Sequence, residues 1–188
     1  MKNLIFIFLI VLGACNTEKA NQTVTTVEKE VKLYDYDVEE KIKSLGIVLK
    51  EPGKPVANYV NAVTTGNLVF MAGKGSRTKE GKLITGKVGK DLTIEEGYEA
   101  ARLTAVSQLA ALKAEIGDLN RVERIVKVLG MVNCESDFGN QPEVINGFSD
   151  LMVEVFGERG KHARAAVGMG SLPRNLACEI EMIVQIKE

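Results

Sequence analysis

The fold is decided by a β-rich stretch in the second half of the chain, Arg121-Val122-Glu123-Arg124-Ile125-Val126-Lys127-Val128-Leu129-Gly130-Met131-Val132. Most of its residues are apolar and several are β-branched, which is typical of a strand that lies inside a sheet. We therefore predict that residues 121–132 form the central strand of a β-sheet, and the other elements are placed around this strand.

One helix is predicted on each side of the strand. The first begins at Thr93-Ile94-Glu95-Glu96, which has the capping-box form in which a Thr hydroxyl and a Glu carboxylate satisfy free amides at a helix start, and it ends at Gly117. Its apolar residues recur every three or four positions, as one helix face requires: Leu103, Val106, Leu109, Leu112 and Ile116. The second helix begins around Pro142, a residue that suits a first helical turn, and it ends before Gly157.

Shorter β-favouring runs complete the sheet. Residues 58–63 and 68–73 flank a Gly/Asn turn and predict a hairpin, and residues 82–88 are predicted to form a third strand. Two more strands follow the second helix, at residues 165–169 and 178–186. The last strand would place five residues on one face: Cys178, Ile180, Met182, Val184 and Ile186. The order βββαβαββ predicts an α+β protein with two helices packed against one face of a sheet.

The composition argues for one ordinary domain and against a nucleic-acid partner. The 188 residues include 24 Lys and Arg against 25 Asp and Glu, so the formal net charge of -1 creates no field that would attract nucleic acid or an acidic membrane. There is no Trp, and Tyr and Phe are few, which leaves little material for stacking on bases. We therefore predict no nucleic-acid partner.

The first residues predict export and a lipid anchor. Met1-Lys2-Asn3 precedes an apolar run over residues 4–12, which is too short to cross a bilayer but fits the core of a signal peptide. The run ends at Leu12-Gly13-Ala14-Cys15, which resembles the bacterial lipobox, in which the Cys is acylated; the alternative is an ordinary signal peptide with an incidental Cys. We expect an exported lipoprotein that contacts the membrane only through the lipid on Cys15. Since Asn16 rather than Asp follows, the periplasm-facing side of the outer membrane is favoured.

Three segments follow from these patterns. Residues 1–15 are the predicted lipoprotein signal peptide with its lipobox Cys. Residues 16–36 are polar, mixed in charge and without sustained apolar periodicity, so they are predicted to form a flexible tether. Residues 37–188 are predicted to form the folded domain.

The order of elements and three short motifs resemble the Rid family, also called the YjgF family. The motifs are His162-Ala163-Arg164-Ala165-Ala166-Val167, Leu172-Pro173 and Glu179-Ile180-Glu181-Met182. The resemblance runs from about Asn58 to Ile186, and it implies a chorismate-mutase-like fold and a homotrimer with pockets at the subunit interfaces. Members of the family that are enzymes hydrolyse enamines and imines derived from amino acids to 2-keto acids and ammonia, without metal or organic cofactor.

The resemblance also implies roles for individual residues. Arg164 matches an arginine that binds the substrate carboxylate through a bidentate contact, and a structural ion pair is the alternative. Glu179 matches a glutamate that positions the hydrolytic water, and a solvent-facing strand carboxylate is the alternative. Tyr59 and Asn146 match a pocket-wall tyrosine and a pocket asparagine, and for both a packing or surface role is equally open. Arg164 and Glu179 are thus the candidate catalytic residues.

The chain departs from the family pattern at Ala72-Gly73-Lys74, where hydrolytic members carry Ser-Gly-Gln. A hydroxyl that would contact the substrate is therefore absent, while Lys74 either adds a cation for a second anionic group or faces solvent. His162 stands where many members have Pro. We predict a pocket for a small carboxylate or imine metabolite whose function is imine hydrolysis or binding alone. Its predicted lining is Tyr59, Ala72, Gly73, Lys74, Asn146 and Arg164.

No cofactor and no metal are expected. The chain has a single His, so it cannot supply a His-rich metal site, and it has neither a Cys-x-x-Cys pair nor a Walker-type phosphate loop. Cys134 and Cys178 could pair in an oxidising compartment, but both lie in apolar, strand-like stretches, where buried free thiols are more common.

Overall fold

The computed structural model describes residues 32–53, 55 and 57–187. The predicted signal peptide, the lipobox residue Cys15 and most of the predicted tether lie outside these residues. Within the described part, no helix is both long enough and apolar enough to cross a bilayer.

A five-stranded sheet forms the centre of the domain. Its strands are β1 (Ala62–Thr65), β2 (Leu68–Gly75), β3 (Val122–Asn133), β4 (Ala163–Met169) and β5 (Cys178–Ile186). Their spatial order is β1-β2-β5-β3-β4, and every neighbouring pair is antiparallel except β3 and β4, which are parallel. The predicted strand at residues 121–132 is therefore interior, but β5 and not β3 occupies the middle of the sheet. A parallel neighbour requires a crossover connection, which a helix supplies here.

The described residues form three α-helices beside the sheet: α1 (Val38–Ser44), α2 (Ile94–Ile116) and α3 (Gln141–Phe156). The predicted capping box of α2 is confirmed, because the Thr93 hydroxyl accepts from the Glu96 amide at 3.1 Å and the Glu96 carboxylate accepts from the Thr93 amide at 2.8 Å. The helices α2 and α3 both pack on one face of the sheet, as the α+β prediction requires. The face of β5 that meets them carries the five predicted residues, which are all buried.

The two long helices approach each other closely at Gly147 of α3. A Cβ atom at this position would lie far inside van der Waals distance of the Tyr98 carbonyl oxygen of α2. Two polar contacts border the crossing: the Tyr98 hydroxyl donates to Asp150 at 2.9 Å, and Arg102 forms an ion pair with Glu154 at 2.6 Å. The absence of a side chain at Gly147 therefore sets the distance between α2 and α3.

The predicted third strand at residues 82–88 is wrong. The segment has only isolated bridges, which join Leu83 to Arg77, Thr85 to Leu176, and Val88 to Leu92 and Cys134. It turns at Gly86, whose φ of 121° lies in the left-handed region that glycine tolerates. Local β preference predicts the strand, but the amides of Ile84, Gly86 and Val88 donate to three separate segments and not to one neighbouring strand.

The folded domain begins before residue 37. The Tyr34 hydroxyl donates to the Val122 carbonyl at 2.5 Å, and the Tyr36 hydroxyl donates to the Val155 carbonyl at 2.9 Å. The Arg159 guanidinium lies over the Tyr34 ring, 5.7 Å from its centroid. Residues 34–36 were assigned to the polar tether, but their aromatic rings pack against the domain while their hydroxyls reach backbone acceptors.

The second face of the sheet, which we call the open face, is the one from which Glu179 projects, and it carries partly exposed apolar side chains. Strand alternation places Val63, Phe70 and Val167 on this face, and they are 55%, 42% and 39% exposed. Apolar side chains from three strands thus form a surface of the kind that marks an interaction site.

Replacement of Gly147 by alanine is expected to destabilise the domain. The new Cβ meets backbone rather than a flexible side chain, so α2 and α3 must separate, and we expect the free energy of unfolding to fall by about 1–3 kcal/mol. Chemical denaturation measures this change. Gly139→Ala is the matched control, because nothing lies within 4 Å of a Cβ at that position; equal stability of the two variants would contradict the prediction.

Candidate functional site

Arg164 of β4 points towards helix α3. Its Nη1 donates to the Asn146 side-chain oxygen at 2.9 Å and to the Ser149 hydroxyl at 3.0 Å. Asn146 and Ser149 are three residues apart on a helix, so both side chains leave the same face and meet the strand together. The structure therefore brings together Arg164 and Asn146, two of the predicted site residues.

The positive charge of Arg164 has no carboxylate partner within 4 Å among the described residues. Both of its hydrogen bonds in that part of the chain use Nη1 and end on neutral oxygens, which leaves Nε and Nη2 for other acceptors. The side chain is half-buried, between the sheet and solvent. The alternative role for Arg164, a structural ion pair, thus finds no partner in residues 32–53, 55 and 57–187.

The Ser149 hydroxyl also contacts a histidine. His162 Nε2 lies 3.1 Å from Ser149 Oγ, and His162 Nδ1 lies 2.7 Å from the Gly160 carbonyl oxygen. Burial of the imidazole lowers the pKa of His162 and the charge of Arg164 also lowers it, which outweighs the opposite effect of the bond to Gly160. The ring is therefore neutral at neutral pH.

Glu179 lies on the other side of the sheet. It belongs to β5 between the buried residues Cys178 and Ile180, so its side chain projects from the open face, and it passes over Gly73 of β2. A Cβ at Gly73 would overlap the Glu179 carboxylate, so glycine is what leaves room for this side chain. Burial raises the pKa of Glu179, and the like charge of Glu181 raises it further.

The strand beside Glu179 carries a bulge at the predicted Ala72-Gly73-Lys74 motif. The pairing of β2 with β5 shifts register between Met71 and Lys74. The buried side chain of Gln108 from α2 spans the gap, because its Nε2 donates to the Ala72 carbonyl at 3.0 Å and to the Ile180 carbonyl at 2.6 Å. One amide group thus replaces backbone partners that the bulge removes.

Lys74 belongs to this half of the site, whereas Tyr59 lies outside the sheet. The Lys74 amine donates to the Asn61 side-chain oxygen at 2.5 Å, and no carboxylate lies within 4 Å of it in the described part of the chain. Burial lowers the pKa of Lys74, and the charge of Arg77 lowers it further. Tyr59 precedes β1 and is 53% exposed, so it does not form part of the core.

Arg164 and Glu179 do not meet within one chain. The Arg164 side chain contacts α3 on the helix-covered face, whereas Glu179 projects from the open face, and β3 separates their strands. The predicted residues therefore form two groups, which we call the arginine group (Arg164 and Asn146) and the glutamate group. The glutamate group consists of Ala72, Gly73, Lys74 and Glu179.

Sequence reasoning missed two polar residues that contact these groups: Ser149, which bonds Arg164, and Gln108, which bonds Ala72. Ser149 follows Asn146 by one helical turn, and this spacing is a signal that could have indicated it. Gln108 lies within the apolar face predicted for α2, next to Leu109, so a polar residue at a core position was its signal.

The cysteines and possible metal ligands add no chemistry to either group. Cys134 and Cys178 are both free and buried, and burial raises the pKa of Cys178 to about 11, so its thiol is unreactive at neutral pH. The described residues contain no cluster of three or more His, Cys, Asp or Glu side chains able to hold a metal ion.

Comparison with known proteins identifies the relatives of this chain. Residues 39–186 match the family described as "YjgF/chorismate mutase-like, putative endoribonuclease". The protein TCP17 of Trypanosoma cruzi is 39% identical over 150 residues, which cover 79% of this chain and 94% of TCP17. The 2-iminobutanoate/2-iminopropanoate deaminase of Dermatophagoides farinae is 27% identical over 135 residues, or 71% of this chain and 90% of that protein.

A solved structure extends the comparison to the fold. The crystal structure of a protein of unknown function from Agrobacterium tumefaciens is 42% identical, superposes with a TM-score of 0.73, and covers 80% of this chain and 94% of that one. The five-stranded sheet backed by two helices therefore defines a small α+β domain of the YjgF-like fold. The chain belongs to the YjgF family, the Rid family that its motifs resemble.

Proposed function

We propose that this protein binds a small carboxylate at Arg164 and hydrolyses its imine or enamine form to a 2-keto acid and ammonia. The observation that carries the proposal is the half-buried guanidinium of Arg164, which has only neutral partners among the described residues. A cation that is partly removed from water and lacks a counter-charge attracts an anion, and the planar carboxylate matches the two nitrogens that remain. The name of the Dermatophagoides farinae relative, an imine deaminase, is consistent with this ligand.

The proposed pocket forms between two copies of the chain. Arg164 and Glu179 lie on opposite faces of their own sheet, so a single ligand reaches both groups only when the arginine group of one copy faces the glutamate group of another. The exposed apolar residues of the open face support such an assembly, and family resemblance favours three copies.

The reaction needs water and one proton acceptor. An enamine first tautomerises to the imine, as one N–H proton moves to the neighbouring carbon. Glu179 as a carboxylate accepts one proton of water while the water oxygen attacks the C=N carbon, and it passes that proton to the nitrogen. The hydroxyl proton of the resulting carbinolamine then goes to the nitrogen by way of Glu179, so the C–N bond breaks, the carbon becomes a ketone and ammonia leaves. The ammonia thus carries the one N–H proton of the imine and both protons of water. Arg164 holds the carboxylate in place and does not take part in bond making.

Ammonia release from a freshly generated 2-aminoacrylate tests this proposal. We expect Arg164→Ala to lower kcat/KM about 10- to 100-fold, since a bidentate charged contact contributes about 1.5–3 kcal/mol. Glu179→Gln is expected to lower kcat about 100-fold or more, because the amide cannot accept the proton. Ammonia release that is the same with wild type, both variants and no protein would rule out the enzyme.

The pH dependence supplies an independent readout. Glu179 must be ionised to accept a proton, so the rate falls as the pH drops through its pKa, which burial and Glu181 raise above the ordinary value. Glu181→Gln is the matched control: it keeps the activity but removes the like charge, so the acid limb of the profile moves to lower pH.

Binding without catalysis is the second candidate function, and Ala72 favours it. Position 72 offers no hydroxyl, and its carbonyl is already bonded to Gln108. A binding protein would release no ammonia above the rate without protein, yet calorimetry with 2-oxobutanoate would show heat that Arg164→Ala abolishes. Heat that does not depend on Arg164 would contradict both functions.

The oligomeric state is a separate prediction. In solution we expect a mass of three chains, and we expect Phe70→Glu to reduce it to one, because a charge on the open face cannot be buried without a partner. Light scattering during size-exclusion chromatography measures the mass. Val48→Glu is the control, since Val48 is 75% exposed and lies outside the sheet; a wild-type monomer would contradict the interface pocket.

The lipid anchor also stays a proposal. We infer from the lipobox-like residues 12–15 that Cys15 is acylated after export and that the domain faces the periplasm from the outer membrane. Cells fed a labelled fatty acid should label the wild-type chain and Cys134→Ala, but not Cys15→Ser. Label that persists in Cys15→Ser would place the lipid elsewhere.

A further inference from the structure

Three hydrogen bonds connect Arg164 to the protein backbone through Ser149 and His162. Arg164 Nη1 lies 3.0 Å from Ser149 Oγ, Ser149 Oγ lies 3.1 Å from His162 Nε2, and His162 Nδ1 lies 2.7 Å from the Gly160 carbonyl oxygen. We call this series the histidine relay. Its members come from β4, α3 and the turn between them, so it joins the elements that hold the arginine group.

The direction of each bond in the relay is fixed by chemistry. The Gly160 carbonyl only accepts, so His162 Nδ1 must carry a proton, and in a neutral ring Nε2 then only accepts. The single hydrogen of the Ser149 hydroxyl therefore points to Nε2. The lone pairs of the hydroxyl are left for Arg164, which only donates.

The surroundings of His162 favour the neutral ring that this arrangement needs. The imidazole is half-buried, and it meets the ring of Phe148 edge-on at a centroid distance of 6.4 Å. Burial lowers the pKa of His162, and the charge of Arg164 also lowers it; together they outweigh the hydrogen bond to the Gly160 carbonyl, which raises it. A second cation beside Arg164 is thus disfavoured.

We propose that His162 is a positioning residue for Arg164. His162 accepts the hydrogen of the Ser149 hydroxyl, so that the hydroxyl oxygen faces Arg164 as an acceptor. Ser149 and Asn146 then hold Nη1 of Arg164 on the side of α3. The opposite edge of the guanidinium, formed by Nε and Nη2, is thereby presented to a carboxylate. The inference rests on the proposed function of Arg164.

Two substitutions of His162 separate this role from packing. The amide of glutamine reaches the place of Nε2 and accepts from Ser149, whereas the shorter asparagine reaches only the place of Nδ1 and keeps the contact with Gly160. The probe is 2-oxobutanoate, and its dissociation constant is measured by calorimetry on the full chain. Thermal melting of each variant reports on folding.

We expect His162→Gln to bind 2-oxobutanoate within about twofold of wild type, and His162→Asn to bind about five- to tenfold more weakly, as the loss of one hydrogen bond predicts. Ser149→Ala should weaken binding to the same extent. Its matched control is Ser107→Ala, which removes a half-buried helix hydroxyl that bonds only the Leu103 carbonyl and should leave binding unchanged.

The outcomes distinguish the relay from the proposed function. If Arg164→Ala leaves binding unchanged, the proposed function fails and the relay fails with it. If Arg164→Ala abolishes binding while His162→Asn and Ser149→Ala bind as tightly as wild type, only the relay is overturned. If His162→Gln and His162→Asn weaken the binding of 2-oxobutanoate equally, the relay is also overturned, because an acceptor in the place of Nε2 would then make no difference.

Discussion

One-sided burial of the sheet is the constraint on which the rest of the structure depends. The alternation of β5 sends Cys178, Ile180 and Met182 towards the helices and leaves Glu179 on the opposite face. The free energy of apolar burial therefore fixes the direction of a polar residue that contributes nothing to the core. The same alternation in β4 turns Arg164 towards α3. The two groups of the candidate site are thus separated by the requirement that builds the core.

Sequence patterns predicted the elements that carry their own signals. The capping box at Thr93 and the alternating residues of β5 are local, and the structure confirms both. The strand predicted at residues 82–88 is wrong because the amides of this segment donate to separate segments and not to one strand, and β preference within one segment carries no information about its partners. The sequence also predicts β3 and not β5 as the central strand, and this prediction is wrong for the same reason.

The candidate site was predictable residue by residue but not as an arrangement. Family motifs mark Arg164, Asn146 and Glu179, and the structure joins the first two while it separates the third. Ser149 escaped because its importance arises only where β4 crosses α3, a contact created by the parallel pairing of β3 and β4. Such contacts depend on the order and direction of the strands, and the residue type at a single position does not determine these.

The bulge in β2 limits how this chain can vary. A strand that slips by one residue exchanges its two faces. At the bulge, the Ala72 and Ile180 carbonyls both accept from the side-chain amide of Gln108, and this shared donor prevents β2 from slipping along β5. Insertions or deletions within residues 71–74 would break that match, whereas the loop from residue 76 to residue 92 can absorb changes of length outside the sheet. Differences in length among natural or engineered versions of this domain should therefore accumulate in the loop and leave the bulge untouched.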